Sequence, residues 1–306
     1  MGRATGVFSR VTSAFFYLLN GELVTPFEKV RTGTMQVGYN KYDIRDMPFE
    51  SKVDLSSHFG NDYEIKGALM SEDGTKLYFA HNDNDHFDEW TLSTPYDLST
   101  ATLTNTNGPG TWLITGMDWD PIAGEGNAFY CVEHYGDISR YEFSTPYDIT
   151  TITKVEDDEG DTLNQTTGGI SVGEDGQNMI VSRYAANLSQ INHLYMNTPG
   201  DLSTLEKIAT IDLYPEIDQM MMVSCKDGIN LTCCTTQSNG KISKYKMSKW
   251  DVTTLKHQFT HNINSQDYYE GGNIESGQWI TPRMLVLASN NFWAYLFRRT
   301  QGIEFI

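Results

Sequence analysis

The sequence predicts an all-β fold, a β-propeller of five blades of four antiparallel strands, its ring closed by an N-terminal strand. Three observations carry this. Ser93-Thr94-Pro95-Tyr96-Asp97-Leu98-Ser99-Thr100 recurs as Ser144-Thr145-Pro146-Tyr147-Asp148-Ile149-Thr150-Thr151, as Asn197-Thr198-Pro199-Gly200-Asp201-Leu202-Ser203-Thr204, and as a worn copy, Met247-Ser248-Lys249-Trp250-Asp251-Val252-Thr253-Thr254. Measured between Asp97, Asp148, Asp201 and Asp251, the steps are 51, 53 and 50 residues, a fixed period that marks stacked copies of one supersecondary unit. Each copy follows a run with every second residue apolar, such as Trp90-Thr91-Leu92 or Tyr141-Glu142-Phe143, the period of a strand with one buried face. Asp-Gly turns at Asp73-Gly74, Asp175-Gly176 and Asp227-Gly228 lie some 20 residues before the repeats, and Asp-Gly between apolar runs is a hairpin signal.

Each unit then reads strand, Asp-Gly turn, strand, polar loop, strand, Thr-Pro-x-Asp turn, strand. In the repeat itself Pro presets φ for the turn, Asp bonds its own downstream backbone, and the following Leu/Ile/Val-Ser/Thr is expected to restart an extended run at once. The second unit carries Asp120-Pro121-Ile122-Ala123-Gly124-Glu125-Gly126 in place of Asp-Gly. The predicted organisation is an N-terminal arm over 1–34 and a propeller over 35–306. Within the propeller, 35–60 supplies the closing strand, and the blades cover 64–110, 112–163, 167–213, 218–262 and 270–306. The fifth unit runs out near Ile303-Glu304-Phe305 before its outer strand is complete. Met47-Pro48-Phe49-Glu50 and Val53-Asp54-Leu55-Ser56-Ser57 read as an orphan turn and outer strand, which would close the ring and remove two sheet edges. Tyr42-Asp43-Ile44 also resembles the end of a third strand, leaving a half-formed sixth blade as the alternative.

With 22 Lys+Arg against 40 Asp+Glu the net charge is −18, so the chain repels phosphate backbones and nucleic acid is not an expected partner. Cys131, Cys225, Cys233 and Cys234 all fall in predicted strands without C-x-x-C spacing and read as small buried residues. Asn164, Asn187 and Asn230 head Asn-x-Ser/Thr triplets, the last inside a strand. Ahead of the repeats, Arg3 and Arg10 precede the apolar run Ala14-Phe15-Phe16-Tyr17-Leu18-Leu19. The run is too short for a membrane span or a secretory core, and Gly6 stands where a myristoylation site needs Ser/Thr. Phe15, Phe16, Tyr17, Leu18 and Leu19 are therefore candidate docking residues for a partner or a second copy of the chain.

For chemistry, the inner strands offer Asp118, Asp120 and Glu275 as polar residues at the mouth of the central channel, with Trp119 and Trp279 nearby. Paired carboxylates on such strands suit glycoside hydrolysis, but no third acidic position recurs, and the expectation is no catalytic site. Asp83, Asp85 and Asp88 in Asn82-Asp83-Asn84-Asp85-His86-Phe87-Asp88-Glu89 are the candidates for calcium, although the Gly and closing Glu of an EF-hand loop are missing. Neither cofactor nor metal is otherwise expected. His81 and His134 recur at the end of the second strand of their units and read as structural.

The Ser-Thr-Pro-Tyr-Asp-Leu-Ser-Thr copies, each after an aromatic-x-aliphatic strand, resemble blade repeats in propeller proteins of tailed bacteriophages. The resemblance covers Ile65 to Thr254, carries no catalytic residues, and implies a structural or host-facing virion component (tail, nozzle, fibre-attachment or capsid-surface part) that works by contacts with other virion proteins. A glycan-binding module and a five-bladed glycosidase using Asp118 and Glu275 are the alternatives.

Overall fold

The computed structural model describes residues 9–11, 14–19, 22–24, 42–59, 65–81, 86–108, 113–158, 163, 166–185, 188–213, 220–235 and 240–299. The chain divides into two compact units, one of 1–40 with 300–306 and one of 41–299. In the first, β1 (Ser9–Val11), β2 (Ala14–Leu19) and β3 (Glu22–Val24) form an antiparallel sheet with β2 in the middle. The predicted docking run Phe15 to Leu19 thus lies in a central strand.

The second unit is a five-bladed β-propeller. It opens with β4 (Phe49–Asp54) and the single turn α1 (Ser56–Phe59). Blade 1 is β5 (Ile65–Met70), β6 (Lys76–His81), β7 (Phe87–Leu92) and β8 (Ala101–Asn107); blade 2 is β9 (Ile114–Trp119), β10 (Ala128–Glu133), β11 (Ile138–Phe143) and β12 (Ile152–Asp157). Blade 3 is β13 (Thr167–Val172), β14 (Asn178–Ala185), β15 (Leu188–Met196) and β16 (Leu205–Asp212); blade 4 is β17 (Met220–Ser224), β18 (Asn230–Thr235), β19 (Lys241–Ser248) and β20 (Asp251–Asn262). Blade 5 is β21 (Ile274–Thr281), β22 (Met284–Ser289) and β23 (Trp293–Arg298), completed by β4, which pairs antiparallel with β23 from Phe49↔Phe297 to Trp293↔Asp54. The outer strand sought near 303–305 lies outside the described residues. Its place is filled from the other end of the ring.

The core is five wedges, one between each pair of neighbouring blades. Leu69 and Tyr78 of blade 1 meet Ile114 and Phe129 of blade 2, for example, and Met70 and Phe79 meet Val286 and Leu296 of blade 5. The residue after each repeat Asp enters the wedge between its own blade and the one before. Leu98, Ile149, Leu202 and Val252 are all within 2% of full burial. In blades 1 to 3 the motif differs from the expected immediate strand. Asp97, Asp148 and Asp201 each cap a short 3₁₀ turn, accepting the backbone N–H two residues on at 3.0–3.1 Å, and the strand begins only after it.

The same geometry locates a fifth copy. Tyr42-Asp43-Ile44 has Asp43 accepting from Arg45 N at 3.1 Å, heads a 3₁₀ turn, and buries Ile44 in the wedge between blades 4 and 5. The residue before the Asp has positive φ in all five copies: Tyr42 (55°), Tyr96 (67°), Tyr147 (63°), Gly200 (84°) and Trp250 (59°). The repeat turn of blade 5 is therefore Tyr42–Ile44, not Met47–Glu50, and Asp43 stands 54 residues before Asp97. Five copies serve five blades, with no half-formed sixth among the described residues.

The aromatic at the positive-φ position has a purpose. Its N–H donates to the glycine of the first turn of the same blade (Tyr96 to Gly74 O and Tyr147 to Gly126 O, both 2.9 Å; Trp250 to Gly228 O, 2.8 Å). Its ring covers that glycine so closely that a Cβ on Gly74 would lie 2.2 Å from Tyr96 Cδ1. In blades 1, 2 and 4 both turns are thus locked together at one end of the ring. The four cysteines are free and buried; Cys233 and Cys234 point into different wedges. Asn230 holds Asp227 with its amide and is 8% exposed, while Asn164 and Asn187 lie outside the described residues. No helix among the described residues is long and apolar enough to cross a membrane.

Candidate functional site

The inner strands β5, β9, β13, β17 and β21 run the same way around the axis and approach closely: a Cβ on Gly116 would meet Gly169 Cα at 2.8 Å. What gap remains is about 10 Å³, and Gln278 of β21 bridges it. The Gln278 amide donates to Met117 O (3.1 Å) and Ile170 O, and its carbonyl accepts from Ser224 Oγ (2.8 Å). One side chain ties blade 5 to blades 2, 3 and 4 and plugs the channel.

The three carboxylates named from the sequence do not converge. Glu275 sits at the start of β21, paired with Lys66 Nζ at 2.9 Å. Asp118 sits near the end of β9, on the far side of the plug, roughly 10 Å along the axis at three strand residues. Asp118 accepts from Val172 N (2.7 Å), Trp119 N (2.9 Å) and Lys226 Nζ. Burial pushes its carboxyl up against the pull of Lys226. Asp120 caps its own turn through Ile122 N (2.8 Å) and Ala123 N (3.2 Å), and pairs with Arg140 at 2.8 Å. All three are spent on structure, and the acid–base pairing of Asp118 with Glu275 is corrected by their placement at opposite ends of a closed channel. Asp83 and Asp85 lie outside the described residues. Asp88 is fully buried and takes hydrogen bonds from His58 and His81, so it is no part of an exposed calcium loop.

The channel mouth at the end carrying the locked turns is a cavity of about 180 Å³ to which every blade contributes. Tyr42, Trp119, Pro121, Val172, Ile280 and Pro282 give apolar walls; Glu72, Asp120, Glu125 and Glu174 bring carboxylates. Trp119 is fixed by donating its indole N–H to Met70 O at 3.1 Å, and Tyr42 donates its hydroxyl to Glu174 Oε1 at 2.8 Å. Lys226 is the only cation among the described lining residues, and it is committed to Asp118. Burial raises the Glu125 carboxyl from its ordinary 4.5 to about 7; a hydrogen bond from Glu72 N opposes this, and the charges of Glu72 and Asp73 add to it.

Of the lining carboxylates the sequence pointed only to Asp120, yet a signal for the others was there. Glu72, Glu174 and Lys226 each directly precede an Asp-Gly, and Glu125 directly precedes Gly126. The residue that leads into the first turn of a blade stands at the mouth.

No protein-family model matches the sequence, and no curated protein matches it. Among solved structures the chain is similar to a candidate 6-phosphogluconolactonase from Bacteroides uniformis, at 14% identity and a TM-score of 0.43, over 86% of this chain and 69% of that one. So distant a likeness transfers no activity. The expectation of a tailed-phage virion component is corrected: none of these comparisons supports it.

Proposed function

We propose that the propeller is a binding protein rather than an enzyme, and that it takes a small ammonium-bearing molecule at the closed channel mouth. The observation that carries this is the uncompensated negative lining: besides Asp120, which is paired with Arg140, three carboxylates and two aromatic rings face a cavity whose lysine is already paired. Carboxylates balance an ammonium charge, and aromatic faces attract it through the ring quadrupole. The cavity falls below the roughly 300–1,000 Å³ of pockets for drug-sized ligands, so the ligand is small. In favour of binding without turnover, the inner-strand carboxylates are consumed in ion pairs and turn caps.

Calorimetric titration with choline, ethanolamine and 3,3-dimethylbutanol, the uncharged isostere of choline, tests the reading. A cation is expected to bind and the isostere not to bind. Glu125→Gln combined with Glu174→Gln is expected to weaken the cation by about tenfold or more, given roughly 1–2 kcal/mol for a lost charge contact. Equal affinity for choline and its isostere, or no binding of either amine, overturns it.

A further inference from the structure

At the other side of blade 1, three side chains meet that no sequence spacing connects. His58 stands on α1, which follows the closing strand β4; His81 ends β6; Asp88 lies in β7. Both imidazole Nε2–H groups donate to the same carboxylate oxygen, Asp88 Oδ2, at 2.7 Å from His58 and 2.8 Å from His81. The three candidate ligand atoms lie within 4.8 Å of one another. Asp88 is fully buried and the His81 side chain 7% exposed, whereas the His58 side chain is 29% exposed and opens the group to solvent. The second carboxylate oxygen of Asp88 is held by Thr106 Oγ1 at 2.7 Å.

We propose that His58, His81 and Asp88 form a site for one divalent transition metal, zinc by its ligand chemistry, which fastens the closing segment to blade 1. Two imidazoles and a carboxylate are a donor set that suits zinc, and hard cations such as calcium prefer all-oxygen shells. Ligand bonds near 2.0–2.1 Å in a tetrahedron separate ligand atoms by about 3.3 Å. Each imidazole therefore draws back from Asp88 by about half an ångström as the shared protons leave, and the two ring nitrogens, no more than 4.8 Å apart, settle to the same spacing. Water reaches the fourth position past His58. Thr106 does what an outer-shell partner does, orienting the carboxylate. The placement also gives the metal a task. The ring's one joint between chain ends is β4 on β23, and a metal bound to His58 anchors the residue just beyond that joint to the neighbouring blade.

The test uses the full chain, dialysed against chelator and then titrated with Zn²⁺ or Co²⁺. One metal per chain is expected, with the visible absorption of tetrahedral Co²⁺ and slower amide exchange over β4 and α1. His58→Ala is expected to weaken binding by tenfold or more, and Thr106→Ala by about tenfold. His86→Ala is expected to leave binding unchanged, because His86 lies outside the ligand set. Asp88→Asn removes a buried group and risks unfolding, so the half-exposed His58 carries the decision. No bound metal, or undiminished binding in folded His58→Ala, overturns the site. Bound zinc that leaves exchange over β4 unchanged overturns its fastening role.

Discussion

Glu125 shows what position does to one carboxyl. It lies at the channel mouth, partly out of water, beside Glu72 and Asp73, and its pKa rises to about 7. A carboxyl raised above its ordinary value holds its proton more tightly in the folded state. Its contribution to stability is therefore complete below about 4.5 and is lost as pH climbs through about 7. Glu133, raised by burial to about 7 on β10, adds a slope of the same sign. Urea unfolding followed from pH 4.5 to 8 is expected to show stability falling with pH, and Glu125→Gln to flatten the fall while Glu133 retains its share. The proposed cation has the opposite dependence, since only ionised Glu125 attracts it. Affinity should rise across the interval in which stability declines.

The element that repeats is the turn, and most of the fold was legible because of it. Pro and Ser/Thr mark the first three copies plainly, and the apolar alternation beside them gives strands of period two. The fifth copy was read as a strand end because Tyr42-Asp43-Ile44 has lost those markers; it keeps only the aromatic with positive φ, the capping Asp and the wedge residue. The backbone strain at that aromatic is offset where its ring covers a glycine. Blade 3 is the natural control: Gly200 replaces the aromatic and a Cβ there would touch nothing within 4 Å, while Gly176 is covered instead by Ile122 from blade 2. Gly74→Ala imposes positive-φ strain and a collision with Tyr96, whereas Gly200→Ala imposes the strain alone. Equilibrium unfolding is expected to show both losing stability, the first by about 1–3 kcal/mol more. The mouth residues were harder to read, because their placement follows from lying one or two places before a turn glycine. The His58–His81–Asp88 group was illegible, since the seam that joins them is a property of the closed ring.

At the scale of the molecule, closure is the costly step to lose. Residues 42 to 55 place Tyr42, Ile44 and Leu55 in two wedges at 3% exposure or less, besides supplying all of β4. Burial of three such side chains contributes about 5–9 kcal/mol. A chain beginning at Ser56 is therefore expected to melt more than about 10 °C below one beginning at Lys41, as differential scanning calorimetry would show. Equal melting would mean that β23 carries its edge unaided. The Gln278 bridge works against such opening, because it reaches blades 2, 3 and 4 from blade 5 through the axis, not around the rim.

The register of the closing pair has a mechanical consequence. Phe49 at the start of β4 lies opposite Phe297 near the end of β23, and the Arg298 N–H donates to Pro48 O beside them. Tension applied at Lys41 and Arg299 thus loads the ladder at one end and parts its rungs one after another, as a zipper opens. A load along the strands would strain all of them at once. A ring held this way resists heat through five buried wedges and yields to a gentle pull at a single place. A zinc ion at His58 would stand where that zipper stops, at the last point before the tear reaches blade 1.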